Sequence, residues 1–255
     1  THVIVATPGR LIDLMKQRLV DLRNIKIVVL DEADRMFDIG FAPAIIQILK
    51  ALPTQRQTML FSATMPAAIV KMTAQYLKAP VRVEVAPAGT TASTVAHHQV
   101  NAGTGQKMNA LGQVLKSEPG TIIVFTRTKH AAKKIAAAVR TLGHSAVELH
   151  ANRSLSQRKA AMVGFKTGQY RVLVATDIAA RGIDVNGISL VVNYDLPTTV
   201  EDYVHRTGRT GRAGKTGRAV SFVGPEERFT VRRIEEQLRV RLQPFTELVG
   251  ARQIA

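Results

Sequence analysis

The chain has 255 residues, of which 45% are hydrophobic and 5% aromatic, and its 35 Lys+Arg against 19 Asp+Glu give a formal net charge of +16. That size and apolar content suit one large or two ordinary domains. The absence of cysteine excludes disulfides and thiolate metal sites and is compatible with the reducing cytoplasm, the expected compartment. The basic excess calls for a polyanionic partner, nucleic acid before an acidic membrane, and few aromatics with no Trp favour contacts to phosphates over stacking on bases. No apolar run approaches the ~20 residues of a membrane span, and no signal peptide opens the chain.

In chain order, Val3 to Ala6 is predicted to be a buried strand. Thr7-Pro8-Gly9-Arg10 then opens a helix carrying Leu11, Ile12, Leu14 and Met15, with Thr7 as N-cap and Pro8 in the first turn. A helix start beside Arg10 suits a phosphate; a plain capped helix is the alternative. Ile27 to Leu30 is a β-branched apolar run, expected as a strand buried on both faces. It ends in Asp31-Glu32-Ala33-Asp34, three carboxylates within four residues. Uncompensated charge at the end of a buried strand is costly. Ligands bind at the carboxyl ends of strands in open parallel sheets, and the cation most often held by one or two carboxylates plus phosphates is Mg²⁺. Helix capping by Asp31 or Asp34 is the alternative.

Phe41 to Leu52 is predicted as a helix with Ile45, Ile46, Ile48 and Leu49 inward, and Thr58 to Phe61 as a strand ending in Ser62-Ala63-Thr64. If the two strands are neighbours, those hydroxyls meet the carboxylates. A helix over Ala67 to Tyr76 and a strand over Val81 to Val85 come next. The small, polar stretch Ala86 to Thr94 is the linker candidate. Beyond it the alternation restarts. Helices are expected over Gln106–Lys116, Lys129–Leu142 and Ser156–Thr167, from Thr199, and over Glu226–Leu238. Strands are expected over Thr121–Phe125, Ala146–Leu149, Val172–Ala175, Leu190–Asn193 and Ala219–Val223. Such alternation implies a parallel sheet with helices on both faces. The division expected is 1–85, a linker at 86–95, a second domain at 96–240 and a basic tail at 241–255.

Val172 to Ala175 ends in Thr176-Asp177 and then Arg181-Gly182-Ile183-Asp184, a second polar strand end. From His205 to Arg218, bases and glycines recur every third residue. Glycine this dense argues against a stable helix, so a basic loop or frayed helix end is expected. Arginine forks suit phosphate oxygens and could act as arginine fingers. Gly214-Lys215-Thr216 is not a P-loop, because Arg209 stands where that motif needs glycine, and no other lysine completes the pattern.

Asp31-Glu32-Ala33-Asp34, Ser62-Ala63-Thr64, Ala175-Thr176-Asp177, Ala180-Arg181-Gly182-Ile183-Asp184 and His205-Arg206-Thr207-Gly208-Arg209-Thr210-Gly211-Arg212 occur in order. The series, with Thr7-Pro8-Gly9-Arg10, resembles the DEAD-box ATP-dependent RNA helicases of bacterial type. The resemblance implies an α/β fold of two RecA-like parallel-sheet domains joined by a flexible linker, acting on ATP, Mg²⁺ and RNA. It implies that Asp31 holds Mg²⁺ through water and Glu32 activates the attacking water. Asp34, Ser62, Thr64, His205 and Arg206 would couple the sites. Gly182 and Asp184 would meet the nucleotide, Asp184 at the ribose, and Arg209 and Arg212 the γ-phosphate. Thr7, Pro8, Gly9, Arg10, Arg127, Arg158 and Thr176 would lie along the RNA backbone. The family's adenine-reading motif, P-loop and first RNA motif are absent, so the first domain is expected to be truncated and this chain alone to hydrolyse little ATP. Ala151, Leu155 and Thr207 replace a glycine, a glutamine and an isoleucine usual in the family.

Overall fold

A computed structural model describes residues 2–84, 94–180, 185, 187–211 and 215–246. The chain divides into two compact units, Thr1–Ala88 and Gly89–Ala255, both mixed α/β with parallel sheets.

The first unit comprises α1 (Pro8–Lys16), β1 (Ile27–Leu30), α2 (Ala33–Asp38), α3 (Ala42–Ala51), β2 (Gln57–Leu60) and α4 (Ala67–Tyr76). β1 and β2 pair in parallel, Ile27 opposite Gln57 and Leu30 opposite Leu60. Ile45, Ile48 and Leu49 on α3 return to one helix face at intervals of three and four. They pack with Leu22, Leu30, Leu52 and Met72, while Leu11, Ile12 and Met15 of α1 lean on the same cluster.

Three expectations fail here. Residues 3–6 form no strand and are exposed, Val3 at 73% and Val5 at 93%. A parallel strand needs a neighbour for its N–H and C=O groups, and no described strand pairs with this segment. Residues 81–84 are likewise exposed and outside any strand, and Val85 lies outside the described residues. Nor is β1 buried on both faces. Successive side chains alternate across a strand; Val28 and Leu30 turn to the α1/α3 cluster, whereas Ile27 and Val29 are 57% and 52% exposed.

The second unit contains β3 (Val95–Asn101), α5 (Lys107–Ser117), β4 (Ile122–Phe125), α6 (Lys129–Thr141), β5 (Ala146–Leu149), α7 (Leu155–Lys166), β6 (Val172–Ala175), α8 (Asp177–Ala180), β7 (Leu190–Asn193), α9 (Val200–Thr207) and β8 (Gly217–Val223). A 3-10 turn at Pro225–Glu227, α10 (Arg228–Leu238) and β9 (Gln243–Pro244) complete it. The seven strands lie in the order β5-β6-β4-β7-β8-β3-β9, all parallel. β4, β6 and β7 are buried throughout, as continuous β-branched runs require when helices cover both faces. Val124, Val172, Val174 and Val192 face α5 and α6, while Ile123, Leu173 and Val191 face the cluster that includes Ala161 and Phe165 of α7.

Two boundaries shift. Val95, included in the linker expected at 86–95, starts β3 and is buried, and Thr94 forms the turn before it; residues 86–93 lie outside the described residues. β3 escapes a reading for apolar runs because its sequence is Val-Ala-His-His-Gln-Val-Asn. The segment expected as a tail contributes β9 to the sheet, and Leu242 and Phe245 are 4% and 5% exposed, so residues through 246 pack with this unit; 247–255 lie outside the described residues.

Candidate functional site

In the first unit the acidic strand end and the hydroxyl strand end do meet, because β1 and β2 are neighbours. Ala33 N donates to Phe61 O at 3.0 Å. Asp34 is 2% exposed. Its Oδ2 accepts from Thr64 N at 2.8 Å and from Thr64 Oγ1 at 2.9 Å, and its Oδ1 accepts from Arg35 N at 2.9 Å. Ser62 Oγ accepts from Asp34 N at 3.1 Å and donates to Thr64 O at 2.7 Å. Thus Asp34, Ser62 and Thr64 form one closed knot. Asp31 and Glu32 stay outside it and are exposed. Asp31 Oδ1 accepts from Glu32 N at 2.9 Å. Glu32 adopts φ 50°, ψ 51°, a left-handed conformation that costs a non-glycine residue about 1–3 kcal/mol and clusters at functional sites. Its Oε2 accepts from Arg35 Nη1 at 2.8 Å, a partner the strand-end reasoning missed, three residues further along the chain.

Two exposed carboxylates offer hard oxygen donors, which fit Mg²⁺ held partly by water and phosphate. They do not make a protein cage: no group of three or more metal-ligating side chains occurs among the described residues.

Of the other candidates in this unit, Thr7 is exposed and extended, with no capping bond from its side chain, and Pro8 is the first helical residue. Gly9 and Arg10 are exposed, and Arg10 pairs with Asp13.

In the second unit the carboxyl ends of β4, β6 and β7 gather a second cluster. Asp195 Oδ2 accepts from Thr126 Oγ1 and from Arg127 N, both at 2.8 Å. Lys107 Nζ lies 3.8 Å from Asp195 Oδ1 and 3.6 Å from Glu227 Oε2. Arg206 reaches into this cluster from α9 and is 3% exposed. Its Nε and Nη2 donate to the two carboxylate oxygens of Asp177 at 2.6 and 2.8 Å. Its Nη1 donates to Asp195 O at 2.6 Å and to Asn193 Oδ1 at 3.2 Å, and its guanidinium lies 5.2 Å from the Phe125 ring centroid. Behind it, Asn193 Nδ2 donates to Ser221 Oγ at 3.1 Å. Sequence reasoning missed Asn193 and Asp195, although polar residues ending the buried run Leu190 to Val192 carry the same signal as Asp31. Thr176 is half-buried and Arg127 exposed at these strand ends, and Arg158 is half-buried in the first turn of α7.

The glycine-dense segment is less of a loop than its composition suggests. α9 continues to Thr207, and Arg206, Thr207 and Thr210 are all buried. Thr207 Oγ1 donates to Tyr203 O at 2.8 Å, which gives the hydroxyl at this position a buried acceptor. Gly211 has φ +67°, and a Cβ there would sit 2.6 Å from Val95 Cγ2. Its glycine thus serves close packing against the start of β3. One turn beyond Arg206, Arg209 lines a cleft of about 430 Å³ with Ser189, Thr210, Lys215, Thr216 and Arg218. Ser189 and Gly217 sit at the amino ends of β7 and β8, so this cleft lies at the opposite end of the strands from Asp177 and Asp195, and Arg209 spans the two, since it also lines a small pocket with Asp177, His205 and Arg206. Arg209 Nε donates to His205 O at 3.2 Å. Gly182, Asp184 and Arg212 lie outside the described residues.

Residues 1–73 match the family described as DEAD/DEAH box helicase, and residues 106–214 that described as helicase conserved C-terminal domain. The chain is 43% identical over 244 residues to the ATP-dependent RNA helicase DbpA of Bacillus subtilis, covering 95% of this chain and 51% of that protein. It is 43% identical over 247 residues to the RNA helicase CrhR of Synechocystis, covering 96% and 50%. It therefore spans about half the length of these relatives. Among solved structures, S. cerevisiae Dbp5 bound to RNA and ADP BeF3 matches with a TM-score of 0.85 at 32% identity, over 95% of this chain and 65% of that one. With both matched domains in order, with the acidic motif at the end of a parallel strand and the arginine series on α9 and the turn after it, the chain belongs to the DEAD-box RNA helicase family.

Proposed function

We propose that this chain forms part of an ATP-dependent RNA helicase, contributing the acidic half of an ATP site, its arginines and an RNA-backbone track. The observation that carries this is the division of labour in Asp31-Glu32-Ala33-Asp34. Asp34 is buried and fully bonded, whereas its two neighbours are exposed and free of that knot. Asp31 would hold Mg²⁺ through water; the ion supplies neutralisation of phosphate charge. Glu32 would accept the proton of the attacking water. Its left-handed backbone separates its side chain from the Asp34 knot, leaving the carboxylate to Arg35 and solvent. Arg209 would oppose the charge developing on the γ-phosphate, and Arg212, Gly182 and Asp184 keep the nucleotide roles that the family resemblance implies.

Thr7, Pro8, Gly9 and Arg10 of the first unit, with Arg127, Arg158 and Thr176 of the second, would follow the RNA backbone. α9 offers a physical route for coupling within the second unit. Its Arg206 grips Asp177, next to Thr176, while Arg209, just past the end of the helix, lines both a small pocket with Asp177 and Arg206 and the cleft at the amino ends of β7 and β8. A shift of the Thr176–Asp177 strand end on RNA would therefore reach Arg209 through the pocket they share and through Arg206 at the end of α9. Asp34, Ser62, Thr64 and His205 complete the coupling set. Residues 86–94 would act as the linker between the two RecA-like domains.

The test is RNA-stimulated ATP hydrolysis in a chain extended upstream of Thr1 by a phosphate-binding loop. Glu32→Gln there should abolish turnover while sparing nucleotide binding; undiminished hydrolysis would remove Glu32 from its role. A second reading, an RNA-binding module without ATPase activity, is favoured by the lack of any P-loop within these 255 residues. For the 255-residue chain alone we expect little ATP turnover but RNA binding that weakens steeply with salt.

A further inference from the structure

The net charge is unevenly distributed. Residues 119–176 hold ten Lys or Arg and a single Asp or Glu, so more than half of the formal +16 arises in under a quarter of the chain. The one acid, Glu148, is 4% exposed and is held by Arg140 Nη1 at 3.1 Å and by Arg153. It leaves no negative charge on the outer surface of this segment.

The surplus is concentrated on α6. Ala132, Ile135, Ala136 and Val139 turn inward to the sheet. On the outer face Lys133 and Lys134 are exposed, with His130 and Arg140 exposed towards the two ends and no acidic residue anywhere on the helix. Among the described residues neither lysine has an ion-pair partner. The 13 residues of α6 extend about 20 Å. The helix starts at its N-cap Thr128, immediately after Arg127, so its basic face continues the strand-end track rather than standing apart from it.

We infer that the outer face of α6, through His130, Lys133, Lys134 and Arg140, is an accessory site for the phosphodiester backbone of RNA that runs on past the strand-end contacts. This rests on the RNA-binding function proposed above. Lysines are strongly hydrated point charges suited to sequence-independent contact with phosphates. No aromatic side chain lies among them to anchor a protein partner, and protein interfaces draw most of their energy from such anchors.

The experiment uses the 255-residue chain and two single-stranded RNAs, one of about 6 nucleotides that fills only the strand-end contacts and one of about 20. Affinity is measured by fluorescence anisotropy across a salt series. Lys133→Ala with Lys134→Ala should weaken the long RNA about 3- to 10-fold and reduce its salt slope by about 1.4, roughly 0.7 per lost phosphate contact, while leaving the short RNA unchanged. Unchanged affinity and slope on the long RNA, or equal losses on both RNAs, would overturn the inference. So would unaltered RNA binding accompanied by lost binding of polyglutamate, which would give the face to an acidic protein. Arg127→Ala with Arg158→Ala should weaken both RNAs. If the unsubstituted chain binds neither, the parent reading falls; if it binds both and only the lysine pair is silent, the accessory site alone falls. Both lysines are exposed, and unchanged thermal unfolding of the variant checks that the fold is intact.

Discussion

Asp34→Asn isolates the knot that holds the acidic and hydroxyl strand ends together. The substitution keeps the shape and removes the charge. Asp34 Oδ2 accepts two hydrogen bonds from Thr64 and Oδ1 accepts one from Arg35 N, so in each of these three bonds the partner is a donor. An asparagine must turn its NH₂ towards one side or the other. Facing Thr64, it sets donor against the backbone N–H and forces the hydroxyl to rotate; facing Arg35, it opposes that N–H. Either choice loses at least one charge-assisted bond, about 1.5–3 kcal/mol, and leaves a donor unsatisfied in a site 2% exposed to solvent. The first unit should therefore be destabilised by about 2–4 kcal/mol. Thr64→Val removes the hydroxyl alone and should cost about 1 kcal/mol. The double variant should cost less than the sum of the two, since both act on one network. Urea unfolding combined with hydrogen exchange over residues 60–66 reads this out. Protection at Thr64 that survives Asp34→Asn, together with a change below about 0.5 kcal/mol, would refute the account of a closed knot and return Asp34 to ordinary helix capping.

Three further outcomes are expected. Arg206→Ala should destabilise the second unit by about 3–5 kcal/mol, because it leaves the Asp177 carboxylate and the Asp195 carbonyl without their buried partner, and Arg206→Lys should recover only part of this since an ammonium cannot fork onto both Asp177 oxygens; denaturant titration distinguishes the two. Burial alone would raise the Glu148 carboxyl, but hydrogen bonds from Arg153 and Arg140 outweigh it and hold the group below its ordinary value of 4.5. Its folded value being the lower one, its contribution is complete above pH 4.5 and fades as pH falls through that lower value, so Glu148→Gln should be less stable at neutral pH yet lose less stability on acidification, as measured by thermal unfolding against pH. Burial, with adjacent His98, depresses His97 from 6.5 to about 4, and its Nδ1 lies 2.8 Å from Tyr203 Oη, a phenol that burial in turn keeps protonated. The unfolded chain takes up a proton near pH 6.5 that the folded chain refuses until about pH 4, so stability should drop by up to about 1.4 kcal/mol per pH unit across that window, and His97→Gln should flatten the profile.

Much of the second unit was legible because its central strands are strongly apolar. Ile122 to Phe125, Val172 to Ala175 and Leu190 to Val192 can only be buried on both faces, and each run stops at a polar residue, Thr126, Thr176 and Asn193 in turn. The Lys129–Thr141 and Ala67–Tyr76 helices were equally plain from their periodicity. The misreadings share a cause: each concerned a segment whose state depends on a neighbour in space. Residues 3–6 are as apolar as β1 but have no described strand beside them, while β3, with two histidines and a glutamine, is held in the sheet because β8 and β9 pair on either side of it.

Local sequence thus determined the alternation of strands and helices, the family to which its motifs belong, and the positions where polar residues interrupt apolar runs. Only tertiary structure decided which of those polar residues are spent on the fold and which remain available. In Asp31-Glu32-Ala33-Asp34, three carboxylates look alike in sequence; the pairing of β1 with β2 buries Asp34 against Thr64 and leaves Asp31 and Glu32 exposed. In the arginine series, Arg206 and Arg209 are likewise alike until the fold buries Arg206 on α9 against Asp177 and sets Arg209, just past the end of that helix, on both the small pocket beside Asp177 and the cleft at the amino ends of β7 and β8. Burial makes an unpaired charge too costly to leave free, so the partner a fold supplies, and not the residue type, settles which charge becomes a strut.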